Sequence, residues 1–64
     1  MIIKINLNKA DIDKLYMELK AAKFSDGDFG FPMDYTKLII YNPKLLTNEL
    51  FLETIGRYGI KVGN

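Results

Sequence analysis

The chain reads as a small α+β (mixed α/β) domain in the order β-α-(β)-β-α-β, with two helices on one face of a three- to four-stranded sheet. Three observations predict this. Residues 2–7 alternate apolar and polar side chains, residues 9–23 and 48–58 carry apolar residues at helical spacing, and capping or turn residues separate the segments. With a middle strand the order is a compact ferredoxin-like plan; without it, a three-stranded unit.

Each element has its own signal. Ile3, Ile5 and Leu7 fall on one face of the first segment and Ile2, Lys4 and Asn6 on the other, the period of a half-buried strand. Asn8 offers a side-chain cap to the helix that follows. Asp11 falls at its third position, where a carboxylate suits the positive end of the helix dipole. Ile12, Leu15, Tyr16, Leu19 and Ala22 form the apolar stripe, predicting a helix over 9–23.

Residues 24–36 are punctuated by Gly27, Gly30 and Pro32, with Asp26-Gly27 as a hairpin-type dipeptide and a short strand around Phe29–Phe31. Residues 37–42 form a strand with Leu38 and Ile40 on one face, Ile39 and Tyr41 on the other. Asn42-Pro43 and Thr47 are two candidate starts for the second helix. Thr47 is preferred because Leu46 and Phe51 flank it at hydrophobic-staple spacing. Leu50, Phe51, Thr54, Ile55 and Tyr58 make its stripe. Gly59 ends it in a left-handed cap, and Ile60–Val62 forms a closing strand.

The expected core is Ile3, Ile5, Leu15, Leu19, Leu38, Ile40, Phe51 and Ile55. Ile2, Ile39 and Tyr41 are left on the far sheet face with nothing in the chain to cover them. A domain this small gains stability by hiding such a patch, so these three residues are the expected self-association surface of a homodimer.

Sixty-four residues make one domain, 1–64. A chain of this size buries only about 60% of the surface its unfolded form exposes, so the core is marginal. Neither Cys nor His is present. Disulfides and thiolate sites are therefore excluded, and zinc would have only carboxylates to bind. No apolar run approaches the roughly 18 residues that span a bilayer, and the opening Met1–Asn6 becomes charged too soon for a signal peptide. The expectation is a soluble cytoplasmic protein with no membrane association.

The same absences remove the commonest general base and the strongest nucleophile, so no enzyme activity is expected. Asp26 and Asp28 lie two apart in a glycine-rich stretch, but the calcium-loop pattern counted from Asp26 meets Gly30 at its fifth position and Lys37 at its twelfth. No metal and no cofactor are expected. Gly27–Gly30 lacks the Lys-Ser/Thr of a phosphate loop, and its acids repel phosphate.

Net charge is +1, but it is unevenly spread. Residues 24–36 carry Asp26, Asp28 and Asp34 and no cation, while the flanking stretches are each mildly basic. Interleaved with those acids are Phe24, Phe29, Phe31, Met33 and Tyr35, which serve either as a lid on the core or as interface anchors with a charged surround. The segment is the expected heterologous contact for a basic-surfaced protein partner. An open ferredoxin-like sheet displaying Tyr41 could instead stack nucleic-acid bases. The chain lacks the basic-Gly-aromatic signature of RNA-recognition domains, however, so nucleic acid is the less favoured partner. A small-ligand regulatory domain ranks third. Eight Lys against one Arg, with frequent Ile and Asn, is the bias of AT-rich coding sequence. It hints at a low-GC bacterium or its phage. With the small size and the lack of catalytic residues, it leads to the expectation of a small bacterial or phage accessory protein that binds and modulates or inhibits a host protein.

Overall fold

A computed structural model describes residues 1–62. Its elements are β1 (Ile2–Lys4), α1 (Lys9–Ala21), β2 (Phe29–Gly30), β3 (Lys37–Ile40), a 3-10 turn (Pro43–Thr47) and α2 (Glu49–Gly56). The class is the expected α+β, with two helices and a three-stranded antiparallel sheet. The strands lie in the order β1-β3-β2, and both neighbours run antiparallel to β3. β1 and β2 are therefore parallel to each other, joined through α1 and split by β3.

Register decides which side chains are buried. Ile3 lies opposite Leu38 and Phe29 opposite Ile40, so these share the face on which both helices pack. Leu15, Leu19, Leu38, Ile40, Phe51 and Ile55 are buried as expected. Ile3 and Ile5 are only half-buried against that cluster. The reason is that β1 is an outer strand. Met1 and Ile40 exchange backbone bonds at 2.8 Å and Ile5 N–H donates to the Thr36 carbonyl, which leaves the N–H and C=O groups of Ile2 and Lys4 facing outward from the sheet.

A fourth strand would cover that edge, but residues 60–62 adopt no strand. Gly59 takes the expected left-handed conformation (φ 79°), and Ile60 N–H then bonds back to the Ile55 carbonyl at 3.2 Å. Ile60 thus becomes the buried apolar contact of the helix stop. Tied there, it cannot also begin a strand.

Other boundaries differ for local reasons. α1 ends at Ala21 because Lys23 adopts φ 75°, which lets Phe24 N–H reach the Leu19 carbonyl at 3.1 Å. The Asp26-Gly27 pair sits in a Ser25–Asp28 turn joining α1 to β2, and Gly27 lacks the positive φ of a tight hairpin turn. Asn48, not Thr47, caps α2 by accepting from Phe51 N–H at 3.0 Å. Asn42 caps the preceding 3-10 turn, which buries Leu45. This start to α2 turns Leu50 outward, leaving it 52% exposed, while Phe51, Thr54 and Ile55 face the core.

Candidate functional site

All three aspartates of the 24–36 segment are engaged within the chain. Asp26 accepts from the Tyr16 hydroxyl at 2.7 Å and pairs with Lys20 at 3.3 Å. Asp28 accepts from Asn42 Nδ2 at 3.1 Å and from Ser25 N–H at 3.3 Å, while its backbone carbonyl takes the N–H groups of both Tyr41 and Asn42. Asp34 accepts from the Thr36 N–H and hydroxyl at 3.2 and 2.9 Å, with Lys37 at 4.0 Å. The physical result is a common lowering of the three carboxyl pKa values. The Tyr16 hydroxyl and then Lys20 hold Asp26 below the ordinary carboxylate range; Asn42 and then Ser25 do so for Asp28, and Thr36 does so for Asp34.

The aromatic residues divide. Phe24 and Phe29 lie inside the core, 9% and 1% exposed, with both rings against Phe51. Phe31 and Tyr35 are half-buried, and Met33 at the tip of the Pro32–Tyr35 turn is 95% exposed. The segment is therefore a lid at its first half and a projecting turn at its second. Tyr35 closes that turn in the left-handed region at φ 56°, an uncommon conformation for a bulky residue.

Between the turn and α1 runs a groove of about 250 Å³, lined by Ile12, Asp13, Tyr16, Phe31 and Tyr35. Buried Phe29 forms its support: Phe31 packs edge-on against Phe29 at 6.1 Å, and Tyr16 packs tilted against it at 6.0 Å. Tyr16 is further fixed by Asp26, whose acceptance of its hydroxyl proton raises the tyrosine's pKa. At the rim, Lys9 bonds Asp13 at 2.9 Å with its ammonium 5.6 Å from the centre of the Tyr35 ring. Asp13 raises the lysine's pKa. The sequence reading missed Lys9, Ile12, Asp13 and Tyr16 as members of a site. The Lys9/Asp13 spacing of four was legible as a helical ion pair, but nothing local announced that the 31–35 turn folds back over it.

The other sheet face carries Ile2 (64% exposed), half-buried Ile39 and Tyr41 (59% exposed). Ile2 and Ile39 are cross-strand partners. The Tyr41 ring lies over Gly30, where an added Cβ would come within 3.2 Å of it. Lys4 and Lys37 are also directly opposed, a like-charge pairing beside this apolar corner. Lys61, expected in a strand, lies in irregular chain.

Among the described residues no group of three or more carboxylates could hold a metal ion, and no helix is long and apolar enough to cross a membrane. No family model, curated protein or solved structure matches the chain.

Proposed function

We propose that the chain is a non-enzymatic protein-interaction module that binds, and modulates or inhibits, a basic-surfaced partner through its projecting 31–35 turn. The observation that carries the reading is Met33, 95% exposed on a turn whose two flanks are fixed. Pro32 accepts from Tyr35 N–H on one side, and Asp34 accepts from Thr36 on the other. An apolar side chain held out on ordered backbone loses little entropy on docking, which is what interface anchors require. Phe29 supports this surface from within by packing against Phe31, and Asp26 holds Tyr16 beside it; Phe24 and Asp28 act further back, through Phe51 and Asn42. The Lys/Ile/Asn-rich composition suits a bacterial or phage accessory protein, with a cytoplasmic host protein as its target.

A homodimer through Ile2, Ile39 and Tyr41 belongs to the same reading, but its strength is bounded. Strand spacing and rise give a three-stranded face of this length roughly 200 Å² in projection. Standard interfaces bury about 800 Å² per partner. The face alone therefore supports only weak self-association.

The reading is tested by immobilising the parent, Met33→Asp and Phe31→Ala forms on separate supports and comparing the proteins each retains from a bacterial lysate. A partner held by the parent and lost from Met33→Asp supports it. Identical retention by all three forms removes the turn from the contact.

One observation favours a second reading. Lys4 and Lys37 oppose each other on the face that displays Tyr41, an arrangement relieved by an anion and compatible with a stacked base. A single-stranded nucleic acid bound there should show affinity that falls steeply with salt. Its absence near physiological salt leaves the protein-binding reading alone.

A further inference from the structure

We infer that the groove between α1 and the 31–35 turn is a receptor for a lysine side chain of the partner protein, and that Lys9 is its intramolecular placeholder. The inference rests on the protein-interaction reading and names the chemistry of its contact. Three aromatic residues, Tyr16, Phe31 and Tyr35, line the groove together with the Asp13 carboxylate. Aromatic faces attract cations through their quadrupole, and a carboxylate accepts from the ammonium N–H groups. Lys9 demonstrates both contacts at once, with its ammonium 2.9 Å from Asp13 and 5.6 Å from the Tyr35 ring centre. It does so from the rim: the side chains of Lys9 and Asp13 remain 66% and 55% exposed, so the pair is open to exchange.

Two features fit a receptor better than a surface ion pair. The walls are set in advance, because Phe31 and Tyr16 both rest on the buried Phe29 ring and Asp26 holds the Tyr16 hydroxyl. Tyr35 is kept in a left-handed backbone conformation that glycine would adopt more easily, and strain of this kind collects at binding sites. A hydrogen-bonding carboxylate at the wall selects a primary ammonium over a quaternary one, which has no N–H to give.

The probe is an end-blocked Ala-Ala-Lys-Ala-Ala peptide, followed by NMR of the ring protons of Tyr16, Phe31 and Tyr35 in the full chain. Controls replace its lysine by norleucine or trimethyllysine. Saturable shifts with a dissociation constant on the order of 10 mM are expected, since two exposed contacts give no more. Norleucine and trimethyllysine peptides should each bind at least about threefold more weakly. Lys9→Ala should tighten lysine-peptide binding by about threefold or more by removing the competitor, and Asp13→Asn should weaken it. Tyr35→Gly removes the ring at a backbone angle glycine favours, so it should abolish binding in a chain that still folds. Equal binding of the norleucine peptide, tighter binding of the trimethyllysine peptide, weaker binding by Lys9→Ala, or no ring shifts would each overturn the inference. Retention of a partner that depends on Met33 but not on Tyr35 or Asp13 would overturn it while leaving the interaction reading standing.

Discussion

Along β3, Leu38 and Ile40 are almost wholly buried, while Ile39 between them is half-buried and Tyr41 beyond them is 59% exposed. The two faces of one strand are similarly apolar in composition and differ entirely in what covers them. The helix side receives Leu15, Leu19, Phe51 and Ile55, and its rim extends past Phe29 into the groove beside the 31–35 turn. The open side carries the Tyr41 ring folded over Gly30 and leaves Ile2 and Tyr41 exposed. Apolar character therefore places residues on a sheet, but the connections decide which face becomes core. A binding surface built on the packed side inherits that side's rigidity; one on the open side does not.

The sharpest way to break this comparison is to truncate each face in turn. Ile40→Ala and Leu19→Ala should each cost about 2–5 kcal/mol in denaturant unfolding, much of what a chain this short holds. Ile39→Ala should cost under about 1 kcal/mol, because Ile39 is only half-buried beside exposed Ile2 and Tyr41. Similar losses on both sides would mean that a further layer covers the open face.

Acid should separate the braced loop from the strands. Asp26, Asp28 and Asp34 are held below the ordinary carboxylate range, so the unfolded chain takes up protons first as pH falls. Their stabilising contribution is fully present above about pH 4 and is lost as pH drops through the folded-state values. The melting temperature should be flat near neutrality and decline below that point, with a shallower decline in Asp28→Asn. A pH profile unchanged by that substitution would mean that the Asp28 carboxylate does not brace the Ser25–Asp28 turn against Asn42.

A smaller effect of opposite sign is expected at the end of α1. Lys23 and Gly59 occupy equivalent left-handed positions in two similar helix stops, at φ 75° and 79°. Lys23→Gly should stabilise by about 1 kcal/mol and Gly59→Ala should destabilise by about the same amount. Equal and negligible changes would argue that neither stop constrains the chain. Least affected should be the stability of Tyr41→Asp, whose readout is association. If the parent self-associates weakly in sedimentation runs, this variant should not.

These helix ends also show how far the sequence could be read. Gly59 followed by Ile60 spelled out its cap, and Asn8 did the same for the start of α1, because glycine and asparagine are selected by geometry local to those positions. Lys23 carried no such mark; its left-handed turn is imposed by Phe24 entering the core, a contact from outside the segment. The expected strand over 60–62 failed for a related reason, since the cap that Gly59 announces uses Ile60 as its apolar contact. At the candidate site, the aromatic and acidic character of 24–36 was legible, but its division into buried Phe24 and Phe29 and displayed Phe31, Met33 and Tyr35 was not. That division depends on β2 pairing with β3 in a register that turns Phe29 toward α1. The groove members on α1 were invisible because they are assembled across 15 or more positions by that same register, as with Tyr16 and Phe31.

Under the proposed function, partners meet the helix-side rim and not the open sheet face. Amide hydrogen exchange of the chain, free and bound to the partner that Met33 selects, tests it most directly. New protection is expected only over residues 9–16 and 31–36. Protection confined to residues 2–4 and 37–41 would contradict it and return the open face, with Lys4, Lys37 and Tyr41, as the functional surface.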